Sequence, residues 1–517
     1  MTSASGADAL VLGIDASTTA CKAVVWTLFG EPVAEGRAPL PMVQPRLLWH
    51  EQPAEAWWEA LIAAIRQALA AVPGLHTRIV GLCIAPQRET FVPVGSAGVP
   101  LRPALLWMDE RCRSLLPRIE SEYGADRIHR ESGKPLSGNL SLGKILWLRD
   151  HEPELFSRTA LFLDVAGFLI RALTGHAHTG TGCVDPMGLF DMRTETWNEP
   201  LLAYLGISAQ QLPVAFPPGT VVGQVTSLAA KACGLPAGVP VIAGVGDGQS
   251  GGLGVGAVRP GMAYLNLGTA VVAGTHAERF STSKAFRTTY SGVAGSFCLE
   301  TVLLGGTYTI DWFLHRFLGD VAPAPLRVED YDAGLDDVTA GAEGLLLVPY
   351  WSSAMNPYWD AGASGIVVGW RGFHRPAHLY RAILEGIALE QRLHTEGVEA
   401  ALGDALDRYV AMGGGARSTR WCQIIADVTG KRVNRAASTE AAALGAGILA
   451  AVGAGCFPSV IDAVEAMVSI DPEPFVPDGN RHEFYSRIYQ EVYRPLFPAL
   501  QPFLDRLTTL TLAAAGQ

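Results

Sequence analysis

The chain has 517 residues, which at roughly 100–200 residues per domain predicts two to four domains, each able to bury its own core. Hydrophobic residues make up 49% and charged residues 17%, which excludes disorder as a main theme. Lys+Arg 39 against Asp+Glu 50 leaves a net charge of −11 without a basic run, which argues against nucleic acid and anionic membrane as partners.

In chain order, Met1 to Asp8 are small and polar, unlike a secretory leader. Residues 9–15 form a short apolar run that predicts a buried strand, and 22–28 predict a second. Ala16 to Cys21 form a Ser/Thr-rich turn between them, and a third strand near 33–40 completes an antiparallel meander. Trp57, Leu61, Ile65 and Leu69 recur at helical spacing from Pro53 until Pro73-Gly74 stops the helix. A strand at 78–85 ends in Gln87-Arg88-Glu89-Thr90. Helices are expected at 109–123, 141–151 and 161–173. Near 240 the pattern restarts, with a strand over 239–245, a small-residue helix from Gly246, and strands at 262–267 and 271–273 around Gly268-Thr269. Strand, polar turn, strand at both 9–28 and 262–275 suggests two related halves, meeting at a hinge near 240–250. Later come a helix over 379–396, a strand at 408–412 entering Gly413-Gly414-Gly415, a helix over 421–428, a strand at 431–434, and a helix over 440–452 with Ser438 as its N-cap. An amphipathic helix is expected over about 481–505. No stretch of 18 apolar residues occurs. Eight cysteines are scattered without a Cys-x-x-Cys pair, a pattern of reduced thiols in a cytoplasmic protein.

Asp15 closes an apolar strand before a hydroxyl-rich turn. It can cap its own turn or serve as an oxygen ligand for Mg²⁺ beside phosphate. Asp247 follows a second buried strand amid glycines. It can cap the following helix or accept a proton from a substrate hydroxyl. Arg88 and Glu89 can form a plain ion pair or a donor and an acceptor for neighbouring hydroxyls. Gly246, Gly248 and Gly251 match the dinucleotide fingerprint by letter, but position 266, where an acid is needed, is Asn. Residues 138–145 nearly match a P-loop but lack the Ser/Thr after Lys144 and a preceding strand. His176 and His178 lack a third metal ligand at a suggestive spacing.

Several ordered segments resemble the FGGY family of carbohydrate kinases: Gly13-Ile14-Asp15 with its turn, Trp107-Met108-Asp109-Glu110-Arg111, Ser141-x-x-Lys144, Gly246-Asp247, Leu267-Gly268-Thr269, Gly413-Gly414-Gly415-Ala416-Arg417-Ser418, and Glu440 to Ala446. The resemblance covers about 9–455. It implies an α/β protein of two actin-like (ribonuclease H-like) ATPase domains around a central cleft. Residues 1–245 would bind sugar and 246–517 would bind ATP. It further implies Asp247 as catalytic base, Asp15 near Mg²⁺, and Ser17, Thr18, Thr19, Lys22, Gly268, Thr269 and Gly306 near phosphate. Gly414, Gly415 and Ser418 would receive adenosine. Arg88, Glu89 and Asn139 would contact the acceptor. The Gln-Arg-Glu-Thr segment is similar to glycerol kinases, yet Gly248 and Asn139 stand where those carry Gln and Tyr. The Trp107–Arg111 and 413–430 regions are more similar to xylulokinases. The implied acceptor is a linear pentulose or polyol, xylulose first, with glycerol or a tetritol as the alternative. A nicotinamide-dependent oxidoreductase or a non-catalytic actin-like binding protein are the rival classes, and the sequence leaves a homodimer open.

Overall fold

A computed structural model describes residues 8–319, 332, 334–351, 353–360 and 362–514. Met1 to Ala7, the bulk of the segment read above as unlike a leader, lie outside the described residues. The N-terminal half begins with strands β1 (Leu10–Ala16), β2 (Ala20–Thr27) and β3 (Pro32–Pro39), the expected meander. Helix α1 (Ala54–Ala70) buries Trp57, Leu61 and Ile65. Strand β4 (Ile79–Pro86), helices α2 (Ser141–His151) and α3 (Val165–Thr174), and strands β5 (Val221–Gln224) and β6 (Pro240–Ile242) follow.

Helix α4 (Asp247–Gly254) leads to the second half. Its strands are β7 (Met262–Leu267), β8 (Val271–Ala277), β9 (Arg287–Tyr290) and β10 (Phe297–Leu303). Helix α5 (Pro376–Leu402), β11 (Arg408–Met412), α6 (Thr419–Thr429), β12 (Arg432–Arg435), α7 (Ala441–Gly453), α8 (Gly479–Ile488) and α9 (Arg494–Ala514) complete the elements used below.

The two large sheets share one plan. The first runs β5-β6-β4-β1-β2-β3 and the second β9-β10-β8-β7-β11-β12. In each, a central strand (β1 or β7) is antiparallel to its successor and parallel to a strand that arrives by a long crossover (β4 or β11). A third parallel strand, β6 or β12, lies outside that one. The repeat expected from 9–28 and 262–275 is therefore a repeat of topology.

The two sheets are joined through helices rather than by a linker alone. Helix α7, late in the chain, lies on the first sheet: a Cβ on Gly13 would meet the Ala443 carbonyl at 1.9 Å, and one on Gly447 would meet Trp26 at 2.7 Å. Helix α4 lies on the second sheet, where Gly251 faces Met412 and Gly252 faces Tyr264. The two helices cross at contact distance. A Cβ on Gly254 would fall 1.9 Å from the Ala441 carbonyl, and one on Gly445 1.9 Å from that of Ser250. Only the absence of a side chain allows backbones so close. Val11, Val24, Trp26 and Ile242 thus share a core with Leu253, Leu444, Ile448 and Leu449.

Three local expectations need correction. Residues 161–173 are not one helix: Leu161–Asp164 pair as a strand with Phe91–Val94, and Asp164 then caps α3. The apolar run is continuous, so periodicity could not separate its two parts. The helix expected over 109–123 starts only at Leu116, after a 3₁₀ turn at Arg113–Leu115, because Asp109 and Arg111 are folded into a buried ion pair. Ser438 accepts from the Glu440 N–H at 3.1 Å, two residues too early to cap α7, whose N-cap is Glu440. Among the described residues, no helix is long and apolar enough to cross a membrane, and no group of three or more His, Cys, Asp or Glu could hold a metal ion.

Candidate active site

The carboxy ends of β1 and β7 face one another across a cleft of about 250 Å³. Asp15, Ser17, Arg88, Asp247, Asn266 and Glu440 are among its lining residues. Two sequence-distant acids, each at the end of a strand or the start of a helix, are thereby brought to one space. A second cavity of about 280 Å³ is lined by Thr307, Tyr380, Gly414, Gly415 and Ser418. The glycine loop after β11 joins the two, since Gly413 lines the first and Gly414 and Gly415 the second.

That loop has a physical reason for its glycines. Gly413 has φ +84°, a left-handed conformation, and a Cβ there would lie 2.4 Å from Asn266 Oδ1. Ser418 caps α6 by accepting from the Trp421 N–H at 3.1 Å, and its hydroxyl donates to Asp332 at 2.6 Å. The β7–β8 turn carries Gly268 and Thr269. Their carbonyls accept from the N–H groups of Thr307 (2.9 Å) and Tyr308 (3.2 Å), which places Gly306 against the turn and Thr307 at the second cavity.

Asp247 opens α4. Its Oδ1 forms an ion pair with Arg88 Nε at 3.0 Å and accepts from the Gly248 N–H at 2.8 Å, leaving Oδ2 without a partner among the described residues. Its side chain is 39% exposed, into the cleft. Burial of the site raises its pKa above the ordinary carboxylate range, against the pull of Arg88. Asp15 is the more perturbed acid. Burial, and next the nearby negative charge of Asp247, push it up to about 7. Its Oδ1 is buried with no hydrogen-bond partner. A carboxylate oxygen orphaned beside a second acid fits a cation, whose charge would reverse both causes of the shift.

Arg88 is the hub of a chain of alternating charges. Its Nη1 donates to Glu300 at 2.7 Å, Glu300 accepts from Arg287 Nε at 2.7 Å, and Arg287 Nη1 donates to Glu89 at 2.6 Å. Tyr264 donates to Glu300 at 2.8 Å. The series Asp247–Arg88–Glu300–Arg287–Glu89 crosses between the two halves three times. Glu300 is fully buried, and the two guanidiniums hold its pKa down to about 2 despite that burial. Glu89 sits at φ 56°, a conformation costing a non-glycine residue about 1–3 kcal/mol, beside the cleft.

Other expected residues stand nearby with different partners. Thr18 donates to Gln87 at 3.1 Å and accepts from Trp107 Nε1 at 3.0 Å, on the side of the N-terminal half. The Thr19 side chain is exposed. Lys22 pairs with Glu440 across the two halves. Asn139 reaches the Trp107 carbonyl at 3.5 Å, and its own carbonyl accepts from Lys144 at 2.8 Å. Lys144, buried on α2, has its ammonium pulled down to about 8 by burial. It points at backbone carbonyls rather than an anion, so the near P-loop at 138–145 is a helix start and no phosphate cradle. Neither Glu89 nor Asn139 lines the cleft cavity.

Glu300 and Arg287 were missed from sequence. The signal for Glu300 was a lone charge in an otherwise uncharged strand, Phe297 to Leu303, where every residue is buried. Arg287 has no comparable signal, because only pairing across the sheet brings it to Glu300.

Two repeated sheets, two strand-end acids in a cleft and an adjoining glycine-walled cavity define the class of two-domain phosphotransferases. The sequence profile of the FGGY family of carbohydrate kinases, N-terminal domain, matches residues 10–254, and that of the family's C-terminal domain matches 263–454. The chain belongs to the FGGY family of carbohydrate kinases, and it is a sugar kinase phosphotransferase. A xylulose kinase of Staphylococcus epidermidis is 28% identical over 507 residues, covering 97% of this chain and 99% of that one. An autoinducer-2 kinase of Salmonella typhimurium is 29% identical over 514 residues, covering 93% and 94%. The crystal structure of a xylulose kinase from Rhodospirillum rubrum superposes with a TM-score of 0.89 at 28% identity, over 96% of this chain and 100% of that one.

Proposed function

We propose that the protein transfers the γ-phosphoryl group of MgATP to a primary hydroxyl of a linear pentulose, with xylulose the first candidate. The observation that carries this reading is that the cleft holding Asp15, Arg88 and Asp247 and the cavity behind Gly414, Gly415 and Ser418 lie on adjacent residues of one glycine loop. The names of the similar kinases support the substrate class. Adenosine would occupy the second cavity and its phosphates would run along Gly413 and the Gly268–Thr269 turn into the cleft. On this reading residues 1–245 hold most of the sugar and 246–517 most of the nucleotide.

Asp247 Oδ2 accepts the proton of the attacking hydroxyl. The substrate hydroxyl oxygen forms the new bond to phosphorus as the bond to the ADP oxygen breaks. Arg88, fixed by Glu300, holds the Asp247 carboxylate at one oxygen and so aims the other. Mg²⁺, held near Asp15, would neutralise phosphate charge.

Two results test this reading. In a coupled ADP-release assay over xylulose, ribulose, other linear polyols and glycerol, xylulose should give the highest kcat/KM. A clear preference for glycerol overturns the substrate choice. Asp15→Asn tests the cation site. Because folding raises this carboxyl to about 7, its charge disfavours the fold above that pH, and the cost fades as pH falls toward 4. In metal-free buffer at pH 8 the variant should therefore be more stable than the parent, on the order of 1–2 kcal/mol. It should lose the melting-temperature increase that Mg²⁺ with ATP gives the parent. Equal stabilisation of both proteins by MgATP would remove Asp15 from the cation site.

A further inference from the structure

A cavity larger than the catalytic cleft lies elsewhere in the C-terminal half. It has a volume of about 480 Å³ and lies between the C-terminal sheet and the last four turns of α5. Neighbouring residues of a strand point to opposite faces. Accordingly Ala273, Thr275 and Thr301 line this cavity, while Val272 lines the cleft and Glu300 reaches Arg88. The two spaces stand back to back across one layer of β8 and β10.

The inner wall contains polar atoms that the fold leaves without partners. Oγ1 of Thr301 and Nδ1 of His394 are buried and make no hydrogen bond. Each residue is 2% exposed. Buried polar groups are nearly always paired, so two such atoms around one cavity point to an occupant. The chemistry of that occupant can be read from the wall. His394 Nε2 lies 2.8 Å from the Asn356 carbonyl, which assigns the proton to Nε2 and makes Nδ1 an acceptor. The Thr301 hydroxyl can donate or accept. Val398, Leu402 and Leu406 supply an apolar side.

At the mouth, Glu278 and Asp404 oppose a single Arg279, and Glu399 is already paired with Lys431. This balance disfavours an anion. Hydroxyl groups on a compact carbon skeleton match the wall, since each can both donate and accept while the C–H face packs on the apolar side. We propose that this cavity is a binding site for an uncharged polyhydroxylated molecule of sugar or polyol size, separate from the phosphoryl-transfer cleft.

The test is calorimetric titration of the full chain with xylitol, ribitol, sorbitol and myo-inositol, with glucose 6-phosphate as the anionic control. Ala401, exposed on the last turn of α5 at the cavity mouth, is replaced to block entry. At least one neutral polyol should bind the parent and an Asp247→Ala protein alike. Ala401→Trp should abolish that binding while keeping the parent's turnover. Thr301→Val, nearly isosteric, should weaken it about 3–10-fold through one lost hydrogen bond. It serves as the deciding variant if Ala401→Trp melts early. Glucose 6-phosphate should not bind there. The proposal is overturned if no polyol binds, if binding is indifferent to both variants, or if the phosphate ester binds as well as the polyols. A wrong choice of catalytic substrate would show instead as a changed ranking in the ADP-release assay, with these binding results unaffected.

Discussion

Asp247→Ala should lower kcat at least ~100-fold, the low end of what a positioned general base contributes, with a normal melting temperature. The two halves of this expectation rest on different observations. The carboxylate lines the cleft and leaves Oδ2 free, so its loss removes the group able to take a hydroxyl proton. It is also 39% exposed and opens a short helix whose packing depends on glycines further along, so little of the fold rests on it. Steady-state kinetics with a thermal melt measure both. Turnover near the parent's would end the assignment of Asp247 as base. Asp247→Asn keeps the shape and one oxygen beside Arg88 but cannot take up the proton, so it should be nearly as slow.

The largest loss of stability is expected from Glu300→Leu. Breaking a buried ion pair by removing one partner costs about 3–5 kcal/mol, because an uncompensated charge stays inside. Here the cost should fall near the lower figure. Arg88 retains Asp247, and Arg287 retains Glu89. Denaturant unfolding would give the difference, and a change below about 1 kcal/mol would show that the charge series is not a unit. The pH dependence has a definite sign. Glu300 is held at about 2 in the fold, below the ordinary carboxyl value of 4.5. Its contribution is therefore complete above pH 4.5 and is lost as pH falls from there toward 2. Glu300→Leu should remove that part of the acid sensitivity. Because Glu300 fixes Arg88 and Arg88 fixes Asp247, a Glu300→Gln variant should turn over more slowly and show a shifted pH–rate profile, which a purely structural role would not produce.

Much of the site was legible because each feature interrupts a local pattern. Asp15 and Asp247 are acids directly after buried strands, and the glycines at 413–415 follow another. Strand boundaries in the repeated meanders were equally readable, since short apolar runs and turn residues agree there. The misplaced helix at 161–173 shows the limit. An apolar run has no period to read until a neighbour strand, Phe91–Val94, claims its first four residues.

The sequence by itself determined the two acids, the glycine-rich turns and the repeated strand pattern, because these depend on backbone sterics and on residues close in the chain. Only the tertiary structure decided that α7 covers the first sheet, that Glu300 and Arg287 lock Arg88 and Glu89, and that Lys22 meets Glu440. Those contacts join residues hundreds of positions apart. Their energy comes from excluding water around paired charges and closely packed backbones, and neither exists until both halves of the chain are folded together.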